Sequence, residues 1–194
     1  MFHRENTVRA FIWGLIFGAL AVPALGYWYF TAGHAPVATS DPDMPFEKML
    51  AHKALNARVQ KEMSKSVPIQ ADEVNLLAAA AVYRDHCAVC HGLPAQPKSA
   101  IATGMYPSPP KLLEGKGVTD DEPGESYWKV ANGIRLSGMP GFRSSLSETQ
   151  MWQVSLLVAE ANKLPKSVTD ALAPAPVPAP AVEQSPAKTP ARRR

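Results

Sequence analysis

Two cysteines and a histidine fall within one five-residue stretch, Cys87-Ala88-Val89-Cys90-His91, and the 194-residue chain has no other cysteine. Two thiols at this spacing, followed at once by an imidazole, suit the covalent attachment of one haem. Each thiol adds to one vinyl group, and the histidine turns onto the iron. The stretch therefore predicts a single covalent c-type haem, with Cys87 and Cys90 as attachment points and His91 as an iron ligand.

Other uses of a Cys-x-x-Cys pair fit the surrounding sequence less well. A redox-active dithiol is expected beside a strand–helix–strand pattern, and no such alternation flanks these residues. A structural zinc site needs four ligands, and no second cysteine pair or histidine pair lies at a suitable spacing. The context therefore favours haem.

An iron bound by His91 on one side needs a ligand on the other side, and three methionines follow the motif. Met139 lies in a glycine-rich loop, residues 132–142, which can approach a haem closely. Met151 falls on the apolar face of a predicted helix, where a core position is expected. Met105 follows His91 too closely for a loop that must cross to the opposite side of the ring. Met139 is the predicted sixth ligand, and Met105, a histidine or an open position remain alternatives.

Helices are the elements that must position these residues, because the apolar pattern has a helical period and no convincing strand. One begins at a capping box, Ser147 with Gln150, and another stops at Asn132-Gly133. The predicted helices run from Phe46 to about Ser64, from Asp72 into the haem motif, from Glu125 to Ala131, and from Ser147 to before Pro165. An all-α fold of three to five short helices around one haem follows.

The first of these helices is amphipathic and has two possible fates. Its apolar face carries Phe46, Met49, Leu50, Ala54 and Ala57. It could pack on the haem domain or lie along a membrane surface. Its polar face mixes charges of both signs, which favours packing.

A charge-free run, residues 10–30, follows two arginines near the N-terminus. As a helix this run covers the roughly 30 Å hydrocarbon core of a bilayer, and Tyr27-Trp28-Tyr29-Phe30 closes it with an aromatic belt. A cleaved signal peptide with a site near residues 35–38 is the alternative, although signal-peptide apolar regions span only about 7–15 residues. We expect an uncleaved anchor, with residues 1–9 cytoplasmic and everything after residue 30 on the outer side.

Basic charge is concentrated at the two ends of the chain. The whole chain carries +3, whereas residues 71–164 contain eight Lys/Arg against ten Asp/Glu. Nucleic-acid binding is unsupported, because the folded part has no basic face with interleaved aromatic residues. Residues 166–194, rich in Pro and Ala and ending in three arginines, predict a disordered tail. It would serve as a solvated spacer, or its basic tip would touch lipid headgroups, cell-wall anions or an acidic partner.

Four motifs occur in an order that is typical of one family. They are Asp85-His86-Cys87-Ala88-Val89-Cys90-His91-Gly92, Pro109-Pro110-Lys111-Leu112, Gly138-Met139-Pro140, and Leu146-Ser147 leading into a helix with Trp152. On these residues the chain resembles the class I, mono-haem c-type cytochromes, most of all the membrane-tethered bacterial type. The expected division is a cytoplasmic N-terminus (1–9), a transmembrane anchor (10–30), a linker with the amphipathic helix (31–70), a cytochrome c domain (71–165) and the tail (166–194).

The resemblance implies further roles for individual residues. Pro110 would offer its backbone carbonyl to the second nitrogen of His91, and Leu112 would pack against the porphyrin. Arg135, together with Tyr106 or Trp128, would hydrogen-bond the haem propionates. The first and last helices of the domain would cross, with Val74, Leu77 and Ala81 facing Met151, Val154 and Val158.

His/Met ligation would saturate the iron and, with a soft neutral methionine, give a fairly high reduction potential. We therefore expect a one-electron carrier rather than an enzyme, on the periplasmic side of the cytoplasmic membrane. Its partners would be a quinol-oxidising complex or dehydrogenase as donor and a terminal oxidase or reductase as acceptor. A haem-carrying subunit of a larger membrane oxidoreductase complex, a haem enzyme or gas sensor with an open sixth position, and a non-haem dithiol or adhesion protein are the alternatives.

Overall fold

Helices make up all the regular structure of the residues described here. The computed structural model describes residues 2–115 and 120–174. Its helices are α1 (Phe2–Thr31), α2 (Glu47–Glu62), α3 (Glu73–His86), α4 (Ala88–His91), α5 (Ala100–Thr103), α6 (Pro123–Asn132), α7 (Glu148–Ala159) and α8 (Lys166–Leu172). The predicted all-α fold is confirmed.

Helix ends follow the local signals in the sequence. Asp72 is the N-cap of α3, and its carboxylate accepts a hydrogen bond from the Asn75 backbone N–H at 2.9 Å. Ser147 and Gln150 form the predicted capping box at the start of α7. Helix α6 begins earlier than predicted, at Pro123, because proline suits the first turn of a helix.

The core forms where α3 packs against α7 and α8, and α6 also packs against α7. The prediction that Val74, Leu77 and Ala81 of α3 face α7 is wrong. Val74 is 78% exposed and Leu77 is 38% exposed, and Ala81 is also exposed. The buried face of α3 is the neighbouring stripe Leu76, Ala79, Ala80, Val82 and Tyr83. Both stripes have helical spacing, and the alanines of the buried stripe let the two helices approach closely.

Helix α8 corrects the predicted start of the tail. Residues 166–172 form a helix whose Val168 and Leu172 are fully buried against α3. The Arg84 guanidinium on α3 donates to the backbone oxygens of Ala171 and Ala173, at 2.9 and 2.8 Å, and so satisfies carbonyls that the end of a helix leaves free. The domain therefore extends beyond residue 165. The rest of the predicted tail, 175–194, lies outside the described residues.

Helix α2 packs on the domain, as its mixed charges suggested. Val59 and Met63 are buried at its C-terminal end. A Cβ placed on Gly124 of α6 would lie 2.0 Å from the backbone oxygen of Ser64, so only glycine permits this approach. The indole N–H of Trp128 donates to the Glu62 carboxylate at 3.1 Å. The packed face differs from the predicted apolar face, which stays exposed.

The part of α1 from Thr7 to Thr31 is long and apolar enough to cross a membrane, with a mean hydropathy of 1.9. None of it is buried inside the protein. A membrane anchor and a signal sequence share these properties, so the helix alone is weak support for anchoring.

Candidate haem-binding site

A single helical turn brings the three motif side chains together. Cys87 ends α3, with its N–H bonded to the Tyr83 oxygen at 2.9 Å, and the chain turns directly into α4. The His91 N–H bonds back to the Cys87 oxygen at 2.9 Å. Residues three and four apart share one face of a helix. Cys87, Cys90 and His91 therefore lie on the same side of this turn.

The backbone after the motif is held against α3. Tyr83 is fully buried, and its hydroxyl donates to the Gly92 backbone oxygen at 2.9 Å. Gly92 has a φ of 76°, a left-handed conformation that costs glycine little. The chain can therefore leave the motif abruptly at this point.

His91 makes the contact that the resemblance implies. Its Nδ1 lies 2.7 Å from the backbone oxygen of Pro110, and the Nε2 of the ring is left to bind a metal. Burial lowers the pKa of His91, although the bond to Pro110 acts in the opposite direction. Burial therefore favours the neutral ring, which is the form that binds metals, and the contact with Pro110 orients it.

Hydrogen bonds fix the Pro110 segment beside the motif. The Lys111 ammonium donates to the Gln96 backbone oxygen at 2.9 Å and pairs with Glu114. Glu114 also accepts from the Ala95 N–H at 2.8 Å. These bonds join the loop after the motif to the segment that carries Pro110. Leu112 in the same segment is half-buried against the core.

The two thiols are free and half-buried. Burial raises the pKa of Cys87 to about 12, and the nearby Cys90 thiol adds to the effect. Among the described residues, no group of three or more His, Cys, Asp and Glu side chains could hold a metal ion by itself.

Met139 lies in a loop that is closed at its base by backbone contacts. The Ile134 N–H bonds to the Met139 oxygen at 3.1 Å, and the Met139 N–H bonds to the Ser137 hydroxyl at 3.2 Å. Gly133 has a φ of 69°, and a Cβ there would lie 2.5 Å from the Gly141 nitrogen. The two glycines let the ends of the loop cross closely, and they fix the position of Met139.

The other two methionines occupy different environments. Met151 is 2% exposed in the core, as predicted. Met105 packs on the Met139 loop: a Cβ built on Gly138 would lie 1.8 Å from the Met105 methyl carbon. Met105 therefore lies next to the loop of the predicted ligand, Met139. The sequence offered Met105 only as an alternative to Met139 and gave no reason to expect the two to be neighbours.

Two of the three residues expected to bind propionates have other partners. The Tyr106 hydroxyl donates to Asp43 at 2.6 Å, which raises the pKa of Tyr106 to about 12. The Trp128 indole donates to Glu62. Both acceptors come from the segment before residue 72, which the resemblance does not cover. The Arg135 side chain is exposed and has no ion pair or hydrogen bond within the described residues, so its role stays a prediction.

Sequence reasoning missed several residues that build the site, among them Tyr83 and the Lys111–Glu114 pair. No local motif marks a tyrosine that bonds nine residues along the chain. The three-residue spacing of Lys111 and Glu114 was visible, but such pairs are common and rarely carry a structural meaning. Ser99 is a third case: its hydroxyl donates to the Val89 oxygen at 2.6 Å while it caps α5.

Comparisons with known proteins bear on the same region. Residues 74–156 match the family described as "Cytochrome C oxidase, cbb3-type, subunit III", which is less than half of the chain. No curated protein matches the chain significantly. A solved chain of the reducing HAO-like protein complex of Kuenenia stuttgartiensis is similar at 24% identity, with a TM-score of 0.43, over 52% of this chain. This chain spans 50% of the length of that one.

The residues of the site fit a covalently attached haem. Two free thiols and an oriented, half-buried imidazole share one helical turn, and the family match covers that turn and the Met139 loop. Residues 74–156 therefore form a cytochrome c domain, which implies covalently bound haem c with its iron and a role in haem electron transfer.

Proposed function

We propose that this chain is a one-electron carrier with a single haem whose iron is held by His91 and Met139. Helix α1 anchors it in the cytoplasmic membrane, and the haem domain lies on the periplasmic side. The observation that carries the proposal is the 2.7 Å contact between His91 Nδ1 and the Pro110 oxygen. A histidine held in this way has one nitrogen fixed by the protein and the other free for the metal.

The bound haem supplies an iron that takes up and gives back one electron. The Nδ1–H group of His91 donates a hydrogen bond to the backbone oxygen of Pro110, which holds the ring in one tautomer and increases the basicity of Nε2. Met139 presents a thioether from a closed loop, and this soft neutral ligand favours the reduced metal. Cys87 and Cys90 would hold the haem through thioether bonds, Leu112 would contact its ring, and Arg135 would bind a propionate.

Absorption spectra of the protein matured with haem test the ligand assignment. Oxidised protein should show the weak far-red band of methionine bound to iron, and reduced protein should not bind carbon monoxide. Met139→Leu should lose the band and gain carbon monoxide binding. Met105→Leu, a change of the same kind beside the same loop, should keep the band. Loss of the band in Met105→Leu instead would assign the ligand to Met105, and carbon monoxide binding by the unaltered protein would favour an enzyme or sensor.

Replacing the two thiols tests haem attachment. Cys87→Ala with Cys90→Ala should remove covalent haem, since no other thiol exists in the chain. The domain should then lose most of its helical structure, because a small domain has little core without the ring. A double variant that stays folded, measured by far-ultraviolet circular dichroism, would contradict this reasoning.

The proposed partners are membrane complexes: a quinol-oxidising donor, and an oxidase or reductase acceptor. Anchoring raises the effective concentration of the haem near such complexes without tight binding. A second candidate function is a permanent haem-carrying subunit of a larger oxidoreductase, which is supported by the oxidase subunit named in the family description. Extraction of the native membrane in mild detergent separates the two, because a free carrier elutes alone and a subunit elutes with its partners.

A further inference from the structure

The outward side of the first turn of α2 is apolar and has no protein partner among the described residues. At the start of this helix Phe46 is 71% exposed, Met49 is 46% exposed and Leu50 is 59% exposed. Met49 and Leu50 are neighbours on the same side of the helix, and Phe46 is the N-cap residue immediately before it. We call Phe46, Met49 and Leu50 the outer stripe.

The outer stripe cannot turn inward, because the other side of α2 is already docked. Val59, about 130° round the helix from the midpoint of Met49 and Leu50, is buried against the domain, and so is Met63, the residue that ends the helix. The Glu62–Trp128 hydrogen bond and the close approach of Ser64 to α6 hold the same end. The rotation of α2 about its own axis is therefore fixed.

The outer stripe starts close to the end of α1. A cavity of about 300 Å³ is lined by Tyr29 near the end of α1 and by Met44 and Pro45, so the residue before Phe46 lies near the last turns of α1.

The linker between α1 and α2 is folded back on itself. The His34 ring lies 4.9 Å from the Trp28 ring. The Asp41 carboxylate accepts from the Val37 and Ala38 N–H groups at 2.8 and 2.9 Å. The linker is therefore held short of its extended length, with the start of α2 near the aromatic residues that close α1.

Charge on the outward face of α2 is positive. Lys53 and Lys61 lie on the same side as Phe46 and Leu50 and form no ion pair within the described residues. Glu62 pairs with Arg58 at 2.7 Å, away from this face. Lysine stems can extend along the acyl chains of a bilayer while their ammonium groups reach the headgroups, so these two lysines are compatible with contact between the first turn of α2 and a bilayer.

We propose that the outer stripe lies in the headgroup–acyl boundary of the bilayer, so that α2 rests on the membrane and orients the haem domain. The inference rests on the proposed anchoring by α1. Because α2 is docked on α6, contact with lipid would hold one fixed side of the domain toward the bilayer. Tyr106 and the Met139 loop would lie near that side, since Tyr106 bonds to Asp43 of the linker.

Spin labels on the full haem-loaded chain test this contact in nanodiscs of phosphatidylcholine and phosphatidylglycerol at about three to one. The native cysteines are consumed by haem, so single introduced cysteines can be labelled. Leu50→Cys probes the outer stripe. Ala51→Cys is the matched control, exposed and about 100° further round the helix. Leu20→Cys reports whether α1 is embedded.

For each label we compare its accessibility to oxygen, which concentrates in the bilayer, with its accessibility to a water-soluble nickel chelate. The ratio of the first to the second should be about tenfold higher at position 50 than at position 51. Equal ratios at the two positions, with position 20 embedded, would overturn the proposed contact and leave the anchor intact. A water-exposed label at position 20 would overturn the anchor, and with it this inference. Dipolar broadening at position 50 would show that a second copy of the chain covers the stripe, and it would also overturn the proposal.

Discussion

Leu172 and Val74 offer a direct test of where the core of the haem domain lies. Leu172 belongs to a segment that the sequence placed in a disordered tail, yet its side chain is 0% exposed. Val74 belongs to the predicted helix-crossing face, yet it is 78% exposed. Truncation of a fully buried leucine to alanine costs about 2–5 kcal/mol, because apolar contacts are lost and a cavity remains. Truncation of an exposed valine costs about 0.5 kcal/mol or less.

Guanidinium unfolding of the haem-loaded chain in detergent, followed by circular dichroism of the Soret band, measures both variants. Leu172→Ala should lower the free energy of unfolding by about 3 kcal/mol. This free energy falls by about 3 kcal/mol per molar guanidinium, so the unfolding midpoint should be about 1 M lower. The midpoint of Val74→Ala should stay within about 0.2 M of the parent. A Leu172→Ala midpoint equal to that of the parent would show that α8 is not part of the cooperative unit. A large loss in Val74→Ala would place the core on the other stripe of α3.

Three further substitutions probe the site and its supports. Gly133→Ala should destabilise the domain by more than about 1 kcal/mol in the same unfolding assay, because its φ is positive and a Cβ there would meet the crossing backbone. Gly104→Ala is the matched control: its φ is negative and a Cβ there makes only ordinary contacts, so this variant should be neutral or stabilising. Trp128→Phe removes a hydrogen bond to the α2 carboxylate and should cost about 1 kcal/mol, visible as faster proteolysis of the linker before α2. Tyr106→Phe should raise the pKa of Asp43, which the Lys48 ion pair and the Tyr106 hydroxyl now lower. The stability that the Asp43 carboxylate contributes is present above its unfolded pKa and is lost as the pH falls through its lower folded pKa. The variant should therefore lose this contribution at a higher pH than the parent. Carboxyl NMR titration measures the pKa of Asp43 in both proteins.

Local signals allowed much of this fold to be predicted from the sequence. Asp72 and the Ser147–Gln150 pair act within one helical turn, so their roles depend on neighbours in the chain alone. The haem motif is equally local, because its three side chains share one turn. The choice of buried face on α3 depended instead on which of two apolar stripes meets α7, and both stripes have the same period.

The predicted tail and the propionate donors were harder to place for a different reason. The apolar content of α8 is small, and only packing against α3 and the Arg84 cap makes the helix stable in place. Tyr106 and Trp128 bond to carboxylates of the N-terminal segment, far away in the chain. Neither partnership leaves a pattern in the sequence, because each depends on how distant segments meet.

The crossing of Gly133 and Gly141 has a kinetic consequence for the proposed carrier. A loop whose two ends already touch has few ways to shift relative to the rest of the domain. With Met139 bound to iron, the atoms around the metal would change position little when its charge changes by one. A small nuclear rearrangement means a low activation barrier, so electrons could move in either direction with little driving force. The two glycines would then set the speed of electron exchange without ever touching the metal.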